Sequence, residues 1–450
     1  MSLSLAAQRL RRLSALPLRA DAIRTLLSAA DYRRELLSQI AAAKQRICLC
    51  SLYLQDDEAG ADIMAALYAA KAARPTLDIM VLVDWHRARR GLIGAAKTNE
   101  PLGNAAWYVR LSAAHAAAIP IYGVPVQTSE LFGVMHLKGS VIDDSVLYSG
   151  AGINNVYLHQ FERYRHDRYL LLEHAALATS MIDFVRAQLL SAAAVRRLDL
   201  AEEPASGSQI RSLRASLKRA SYQFQPQNEA SRNAASLSVT PIVGVGKNNR
   251  LNRVICDLLA ASTERITLLT PYFNFPAVVD KEIRRAFKRG VIIDLIVGDK
   301  TANDFFIAPE QPFKVIAALP YLYEVNLRRF AKSHQAEITS GQCNLFLWKD
   351  GNNSFHLKGI DCDGVYTLLT GNNLNPRAFR LDLENALLIH DPQKLLQAQR
   401  HTEFESILQH AQRLSNYQEL QKLPDYPAPV RRLLNRLTRV RLDRLACRVL

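Results

Sequence analysis

Met135–Gly150 reads MHLKGSVIDDSVLYSG, and Phe355–Gly371 reads FHLKGIDCDGVYTLLTG. Each stretch contains a histidine, a lysine two residues later and an aspartate seven residues after the histidine. Side chains alternate between the two faces of a β-strand, so we expect each histidine to share a face with its lysine. A single His-x-Lys on a strand is usually a solvated edge. Its repetition with the same aspartate spacing indicates that the chain carries one functional motif twice.

The motif is one of three matches between the two halves of the chain. Arg46–Leu54 (RICLCSLYL) resembles Arg265–Phe273 (RITLLTPYF) at an offset of 219 residues, and the two motif histidines are 220 residues apart. After each motif, HDRYLLL and LENALLI align so that Asp167 corresponds to Glu384, 217 residues later. Three separate matches at nearly one offset predict a duplicated domain.

Hydrophobic patterns in each half alternate between strands and amphipathic helices. In the second half, RITLLTPYF is followed by the helical pattern VDKEIRRAFKRG and by the apolar strand VIIDLIVGD. The first half repeats this with ADIMAALYAAKAA as a helix and LDIMVLVDW as a strand. This rhythm predicts an α/β fold whose mostly parallel sheets are covered by helices. The predicted division is a first domain with a basic N-terminal segment at 1–200, a linker or loosely packed basic helix at 201–236, a second domain at 237–412 and a basic tail at 413–450.

The net charge indicates which classes of binding partner to expect, and the cysteine content indicates the redox state of the compartment. The 57 basic and 42 acidic residues give a formal net charge of +15, which favours nucleic acid, an anionic membrane or a phosphorylated small molecule as partner. The six cysteines form no CxxC pair or metal-ligand spacing, which indicates free thiols in a reducing compartment. We find no signal peptide and no run of about twenty apolar residues, so we expect a cytoplasmic protein without a membrane-spanning helix.

The residue types in the motif suit attack on a phosphodiester. Histidine supplies a nitrogen nucleophile or a general acid and base near neutral pH, and lysine supplies positive charge for phosphate oxygens. Two copies brought face to face provide one histidine to attack phosphorus and another to protonate the departing oxygen. The motif aspartates, Asp143 and Asp363, are candidates either for orienting a histidine or for pairing with a lysine.

The pattern H-x-K-x(4)-D, present twice, resembles the phospholipase D superfamily over nearly the whole chain. The resemblance implies two α/β domains of phospholipase D type, packed with pseudo-twofold symmetry around one shared active site. It also implies a phosphohistidine intermediate and no metal or other cofactor. The usual continuation of the motif is Gly-Ser-x-Asn. Asn373 fits this asparagine in the second copy, whereas Gly152 stands there in the first copy and Asn154 is the nearest substitute.

Longer strings resemble one branch of the superfamily, the Gram-negative type of CDP-diacylglycerol–serine O-phosphatidyltransferase. They include DDSVLYSGAGINNVYLHQ, VGDKTANDFF and LLTGNNLNPRAFRLDLENALLIHDP. This resemblance implies transfer of a phosphatidyl group from CDP-diacylglycerol to L-serine with release of CMP, by an enzyme that visits the cytoplasmic membrane.

Each candidate residue then has an expected role. We expect His136 to be the nucleophile and His356 the general acid and base, although the near symmetry of the motifs leaves the reverse assignment open. Asp167 and Glu384 are expected to orient the histidines, as a third group does in a catalytic triad. The predicted catalytic residues are His136, Lys138, Asp143, His356, Lys358 and Asp363, and the predicted supporting residues are Asn154, Asp167, Asn373, Asn375 and Glu384. Within these sets, both lysines and Asn373 are expected to hold phosphate oxygens.

Two loops after equivalent strands are candidates for substrate binding, because α/β sheets place ligands at the carboxyl ends of their strands. DWHRARRG offers cations for the CDP phosphates, and GDKTANDFF offers polar groups for serine or cytidine. The candidates are His86, Arg87, Arg89, Arg90, Lys300, Asn303 and Asp304. For any one of them, an ordinary solvated loop charge is an equally simple interpretation.

The C-terminal segment Pro429–Leu450 (PVRRLLNRLTRVRLDRLACRVL) combines arginines with apolar residues near helical spacing. This pattern is typical of a basic amphipathic helix that binds an anionic membrane surface reversibly. The arginines are Arg431, Arg432, Arg436, Arg439, Arg441, Arg444 and Arg448. The alternative is a helix packed on the protein body with its arginines in solvent.

Other functions remain open from the sequence. The same histidines would serve a phospholipase or nuclease that uses water as acceptor, or another phosphatidyltransferase of cardiolipin synthase type. A non-catalytic protein that binds ribosomes or nucleic acid would explain the charge, but not the paired motifs. The expected partners are CDP-diacylglycerol, L-serine and an anionic membrane, with nonspecific ribosome or nucleic-acid association as a further option.

Overall fold

The chain folds into two α/β halves that pack against each other. The computed structural model describes residues 4–90, 103–225 and 236–439, with side chains as far as Arg436. The elements of the first half are α1 (Leu5–Arg11), β1 (Leu16–Pro17), β2 (Ile23–Leu26), α2 (Ala29–Ala42), β3 (Arg46–Cys50), α3 (Glu58–Ala73), β4 (Asp78–Asp84), α4 (Trp85–Ala88), α5 (Gly103–Ala114), β5 (Ile121–Val124), β6 (Met135–His136), β7 (Ser140–Ile142), β8 (Ser145–Ser149), β9 (Arg165–His166), β10 (Tyr169–Glu173), α6 (Ala175–Phe184), β11 (Arg196–Arg197) and α7 (Gly207–Leu217).

The second half repeats this alternation. Its elements are β12 (Ser238–Val245), α8 (Arg250–Ala261), β13 (Arg265–Thr270), α9 (Ala277–Lys288), β14 (Ile292–Gly298), α10 (Leu319–Ser333), α11 (Gln335–Ser340), β15 (Cys343–Trp348), β16 (Ser354–Phe355), β17 (Gly359–Cys362), β18 (Tyr366–Thr370), α12 (Pro376–Arg380), β19 (Leu383–His390), α13 (Gln397–Leu408), β20 (Ala411–Leu414) and α14 (Ala428–Arg439).

Strand order confirms the predicted duplication. The sheet of the first half contains the run β5-β4-β3-β7-β8-β10, and that of the second contains β15-β14-β13-β17-β18-β19. In both runs the first three strands are parallel and the last three are joined by antiparallel pairing. The apolar runs predicted as buried strands are β4 and β14, and both lie inside their sheets as all-buried sequences require.

The expectation of mostly parallel sheets was wrong. Among the described strands, eleven neighbouring pairs are antiparallel and six are parallel. The repeated motif contributes two of the antiparallel pairs, because the chain turns back at its aspartate and forms the hairpins β7–β8 and β17–β18. Strands joined by such a short turn pair antiparallel, whereas parallel strands need a long crossover.

The two halves exchange segments instead of meeting at a single boundary. Strands β1 and β6, from the N-terminal half, pair with β12 and β19 in the sheet of the second half. Helix α1 also packs there, because Leu10 lies in the second half's core and the guanidinium of Arg9 pairs with Asp257. The basic N-terminal segment, which we assigned to the first domain, therefore packs on the second.

The predicted linker at 201–236 includes a packed helix. Helix α7 begins at a capping box formed by Ser206 and Gln209, and its apolar residues are buried at helical spacing: Ile210, Leu213 and Leu217. They join a core cluster with side chains from both halves, among them Met135 and Leu387. Of the two alternatives left open for 201–236, a linker or a basic helix, residues 207–217 form the helix, and their apolar residues three and four positions apart make one packing face.

The C-terminal helix α14 packs on the body through its apolar side. Val430 and Leu434 are buried in a cluster with Tyr321 and Tyr426. Arg431, Arg432 and Arg436 on the other side are exposed. The side chains of Arg439, Arg441, Arg444 and Arg448 lie outside the described residues. No helix within the described ranges is long and apolar enough to cross a bilayer.

Candidate active site

The two motif histidines each meet a carboxylate from the opposite half. His136 Nδ1 lies 3.0 Å from both oxygens of Glu384, and His356 Nδ1 lies 2.7 Å from Asp167 Oδ2. All four side chains are buried, with 1–7% of each residue exposed. A carboxylate on Nδ1 holds the imidazole in one orientation and stabilises positive charge on it. The carboxylates that we expected to orient the histidines thus contact them across the interface.

Short parallel pairings between the halves create this exchange. In β6, His136 stands opposite Glu384 of β19. Strand β16 pairs with β9, and the backbone N–H of His356 donates to the carbonyl of His166 at 2.8 Å. Asp167, next in the chain, then lies beside the His356 ring. The backbone of each half therefore sets the position of the other half's histidine.

The motif lysines are buried beside the histidines. Lys138 and Lys358 are only 2% and 1% exposed, and Lys358 Nζ lies 2.9 Å from His356 Nε2 and 3.5 Å from Asp167 Oδ2. The amide of Asn385 brackets the Lys138 backbone, since its Oδ1 accepts from the Lys138 N–H and its Nδ2 donates to the Lys138 carbonyl, both at 2.8 Å. Asn385 adjoins Glu384 in the repeat string but was not predicted as a site residue.

Burial and the nearby lysines set the protonation states of the two motif histidines. Burial lowers the pKa of His136 well below its ordinary value, and Lys138 and Lys358 lower it further. Burial, together with Lys358, lowers the pKa of His356 to about 4, although Asp167 opposes this. Both histidines are therefore neutral at pH 7 in the absence of substrate, as a nitrogen nucleophile must be.

The pKa values of Lys358, Asp167 and Glu384 also differ from the ordinary values of these groups. Burial lowers the pKa of Lys358 to about 8, where Asp167 raises it and Lys138 lowers it. Burial opposes ionisation of Asp167, but Lys358 and His356 outweigh it and hold that pKa at about 2. Burial, reinforced by Asp382, instead raises the pKa of Glu384. Glu384 is thus the stronger proton acceptor of the two carboxylates.

The two histidines differ in what meets Nε2. His356 Nε2 lies 3.1 Å from the hydroxyl of Tyr157, in addition to its contact with Lys358. His136 Nε2 makes no hydrogen bond to any residue that the structure describes. Among the described contacts, His136 therefore has a carboxylate on Nδ1 and keeps Nε2 available to a substrate. Tyr157 was missed by sequence reasoning, because nothing in the motif spacing points to it.

Two equivalent glycines make room for the charged groups. A Cβ on Gly150 would lie 2.7 Å from Asp167 Oδ1, and a Cβ on Gly371 would lie 2.8 Å from Lys138 Cγ. Real Cβ atoms essentially never come this close to another heavy atom. The glycines that end the two quoted stretches are therefore required by these close approaches, of Asp167 from the same half at Gly150 and of Lys138 from the other half at Gly371.

The motif aspartates have a different role from the one expected. Asp143 accepts hydrogen bonds from the backbone N–H groups of residues 44–46 at 2.8–3.1 Å, and Asp363 does so from residues 263–265 at 2.9–3.0 Å. Both have positive φ, 49° and 57°, at the turn of their hairpins. Among the described contacts, neither reaches a motif histidine or lysine. We correct the prediction: each aspartate joins its hairpin turn to the start of the neighbouring strand, β3 for Asp143 and β13 for Asp363.

The predicted asparagines lie in loops that border the site. Asn154 accepts from the backbone N–H of Tyr157 at 2.9 Å and thereby holds the loop that carries this tyrosine. Asn375 caps α12 by accepting from the Ala378 N–H. Asn373 Oδ1 and, beside it, Asn372 Nδ2 are buried without a hydrogen-bond partner among the described residues. Asn372, which was not predicted, thus presents an unpaired donor next to Gly371.

The first predicted substrate loop is held by contacts within its own half. His86 Nε2 lies 2.7 Å from the carbonyl oxygen of Gln127. Arg87 and Arg90 both pair with Glu130, at 3.3 and 2.9 Å. The guanidinium of Arg89 lies over the Trp85 ring at 4.6 Å. Asp84 caps α4 by accepting from the backbone N–H groups of His86 and Arg87. It also accepts from the N–H of Met135, the residue before His136, and so links this loop to the motif.

The second predicted loop divides between two places. Lys300 is paired with Glu324 at 2.8 Å and lines a separate cavity of about 20 Å³ with Tyr323 and Asn303. The Asn303 side chain accepts from the Phe305 N–H. Asp304 instead faces the active site, where its carboxylate accepts from the Tyr272 hydroxyl at 2.6 Å. Within the described ranges, no group of three or more His, Cys, Asp or Glu side chains is arranged to hold a metal ion.

Known proteins match this chain along both halves. The sequence profile of the family described as cardiolipin synthase, PLD-like domain, matches residues 36–181 and 255–408. A CDP-diacylglycerol–serine O-phosphatidyltransferase of Escherichia coli is 47% identical over 98% of each chain, and that of Haemophilus influenzae is 46% identical over 99% of this chain and 98% of its own. The crystal structure of the phosphatidylserine synthase of Haemophilus influenzae superposes with a TM-score of 0.94 at 45% identity, covering 99% of both chains.

Proposed function

Because the chain belongs to the phospholipase D-like family, and within it to the CDP-diacylglycerol–serine O-phosphatidyltransferases, we propose that it transfers a phosphatidyl group from CDP-diacylglycerol to L-serine and releases CMP. Full-length similarity to relatives with that printed activity supports the reaction. The reciprocal pairs His136–Glu384 and His356–Asp167 are the observation that carries the mechanism. They supply two oriented histidines in one lysine-rich site, as a double displacement at phosphorus requires.

In the first displacement, His136 Nε2 attacks the phosphorus that bears diacylglycerol. The N–P bond forms as the bond from phosphorus to the CMP oxygen breaks, and His356 gives that oxygen a proton. The negative pyrophosphate of the bound substrate raises the pKa of His356, so the proton is available when the substrate is in place. Glu384 accepts a hydrogen bond from Nδ1 of His136 as positive charge develops on the ring. Lys138 and Lys358 stabilise the charge on the phosphoryl oxygens.

In the second displacement, the serine hydroxyl replaces CMP. His356 Nε2 takes the hydroxyl proton, the serine oxygen forms its bond to phosphorus, and the N–P bond to His136 breaks. Phosphatidylserine leaves, and the departing imidazole is neutral again. The proton that His356 took restores the form needed for the next first displacement, so the cycle balances.

One assay tests the proposed reaction. Purified protein is mixed with CDP-diacylglycerol in detergent micelles, and CMP and lipid products are measured with and without L-serine. Serine-dependent phosphatidylserine is the expected result. Phosphatidic acid as the sole lipid product would show hydrolysis instead, and no release of CMP would contradict both reactions.

The lipid substrate also requires contact with a membrane. The exposed arginines of α14, with the apolar side of the helix packed on the body, support peripheral attachment to an anionic surface. Attraction of basic residues to such a surface is electrostatic and weakens with salt. We therefore assign reversible binding at the cytoplasmic face of the membrane to these charges.

A further inference from the structure

A buried pair of opposite charges lies beside His356 and has no role in the two displacements. Arg165 comes from the first half and Asp304 from the second, and Nη1 lies 3.5 Å from Oδ2. Their side chains are 17% and 12% exposed. The guanidinium lies 4.7 Å from the centre of the Tyr157 ring, whose hydroxyl contacts His356 Nε2. One tyrosine thus touches both the charged pair and the proposed acid and base.

The pair is charged but incompletely bonded. Burial opposes ionisation of Asp304, but Arg165 and His356 outweigh it and lower its pKa, so the carboxylate is ionised. A separation of 3.5 Å is longer than the roughly 2.7–2.9 Å of a charge-assisted hydrogen bond. Arg165 Nε is buried without a hydrogen-bond partner among the described residues. Buried charges are costly unless they are fully paired, so donors and acceptors remain here for a ligand.

The neighbouring rings define the shape of this space. The Tyr272 hydroxyl donates a hydrogen bond to Asp304 Oδ1 at 2.6 Å, and the other oxygen, Oδ2, faces Arg165. The ring of Tyr272 stands edge-on to His356 with 6.3 Å between centroids, and that of Tyr157 does so at 5.1 Å. Two tyrosines, one from each half of the chain, thus contact both the charged pair and His356.

The chemistry of the pair fits a small zwitterion. L-Serine carries a carboxylate and an ammonium on one carbon, with the reacting hydroxyl one carbon away. A nucleotide phosphate would meet Arg165 favourably but would be repelled by Asp304. We propose that Arg165 binds the carboxylate of L-serine and Asp304 its ammonium, which places the serine hydroxyl beside His356. This acceptor site rests on the proposed function and names its amino-acid specificity.

Two substitutions with matched controls test the acceptor site. Arg165→Gln and Asp304→Asn each remove one charge, whereas Glu162→Gln and Glu310→Gln remove an exposed charge from the same loops. For each protein, kcat and KM for L-serine are measured, together with exchange of labelled CMP into CDP-diacylglycerol without serine. Exchange reports the first displacement alone.

We expect KM for L-serine to rise about 10- to 100-fold in both variants, the usual effect of losing a hydrogen bond to a charged group. The ratio of serine transfer to CMP exchange should fall at least tenfold, which a loss of folding alone would not produce. The Ki of L-alanine, which keeps both charges and lacks the hydroxyl, should rise in the same proportion. The two controls should match the wild type.

Other outcomes overturn the proposal. An unchanged KM for serine removes both residues from the acceptor site. Equal losses of exchange and transfer, or a higher KM for CDP-diacylglycerol alone, assign the pair to the nucleotide. If the wild type makes phosphatidylserine without CMP exchange, the covalent mechanism fails, and the serine KM and alanine Ki still decide the acceptor site. A wild type that makes no phosphatidylserine refutes the proposed function and the acceptor site together.

Discussion

His136 Nδ1 lies 3.0 Å from both carboxylate oxygens of Glu384, a residue 248 positions away in the other half of the chain. His356 makes the reciprocal contact with Asp167 at 2.7 Å. Each histidine therefore takes its orienting carboxylate from the opposite half. Neither half contains a complete site, so activity requires that the two halves pack together.

The two histidines should be separable by trapping. His136→Ala should abolish CMP release because the nucleophilic nitrogen is lost. His356→Ala should keep a burst of CMP release but transfer slowly to serine, since a hydroxyl needs a base more than a phosphate needs an acid. Mass spectrometry of alkali-quenched His356→Ala should find a phosphatidyl group on His136. The exposed His401→Ala is the control, and an adduct on His356 in His136→Ala would reverse the assignment.

Removing either interdomain carboxylate should damage catalysis more than folding. We expect Glu384→Gln and Asp167→Asn to lower kcat about a hundredfold or more, because an amide neither fixes the tautomer nor stabilises imidazolium charge as a carboxylate does. Steady-state kinetics and circular dichroism measure the two effects. Asp183→Asn, an exposed change on α6, serves as the control. A fall of only a few-fold in kcat would refute the orienting role.

In CMP exchange, kcat/KM for CDP-diacylglycerol should fall as pH rises through about 8, because this ratio reports ionisation in the free enzyme. The folded pKa of Lys358 is about 8, so above that pH the lysine loses the charge that stabilises phosphoryl oxygens. CMP exchange is the measurement to use, because serine itself titrates at high pH. Lys358→Arg should be slower but should lack this limb, since arginine stays protonated. The exposed Lys349→Arg should keep it, and a limb that persists in Lys358→Arg would assign it to another group.

A single methyl group at Gly150 should impair the site. The new Cβ of Gly150→Ala would lie 2.7 Å from Asp167 Oδ1 and would displace the carboxylate from His356. We expect a loss in kcat on the order of a hundredfold, as for misplaced catalytic groups in general. Gly152→Ala is a close control, because its Cβ would meet neighbours at an ordinary 3.4 Å. Equal activities of the two variants would contradict the crowding at Gly150.

The exposed arginines of α14 should control vesicle binding. The triple variant Arg431→Gln, Arg432→Gln, Arg436→Gln keeps the buried Val430 and Leu434, so folding should be unaffected. Basic residues near an anionic surface contribute about 1 kcal/mol each, so affinity should fall roughly a hundredfold at low salt. Cosedimentation with phosphatidylglycerol vesicles measures this. Neutralising the exposed Arg211, Lys218 and Arg219 provides the control, and equal effects would show that net charge alone matters.

Part of the fold could be predicted because it depends on local patterns in the sequence. Hydrophobic periodicity identified β4, β14 and α9, and repeated strings at one offset revealed the duplication. The direction of strand pairing was misjudged, because the hairpin turns depend on the positive φ of Asp143 and Asp363, which the apolar pattern does not encode. Residues 201–236 stayed open between a linker and a helix for a similar reason, since the burial of α7 depends on a surface that exists only after both halves pack.

The sequence by itself determined that the chain is a duplicated α/β protein with two His-x-Lys motifs, because periodicity and repetition are properties of residue order. Only the tertiary structure decided which carboxylate meets which histidine. That pairing depends on β6 lying beside β19 and β9 beside β16, contacts between segments about 190 to 250 residues apart. The same holds for Arg165 and Asp304, which come from opposite halves and meet beside His356 only in the folded protein.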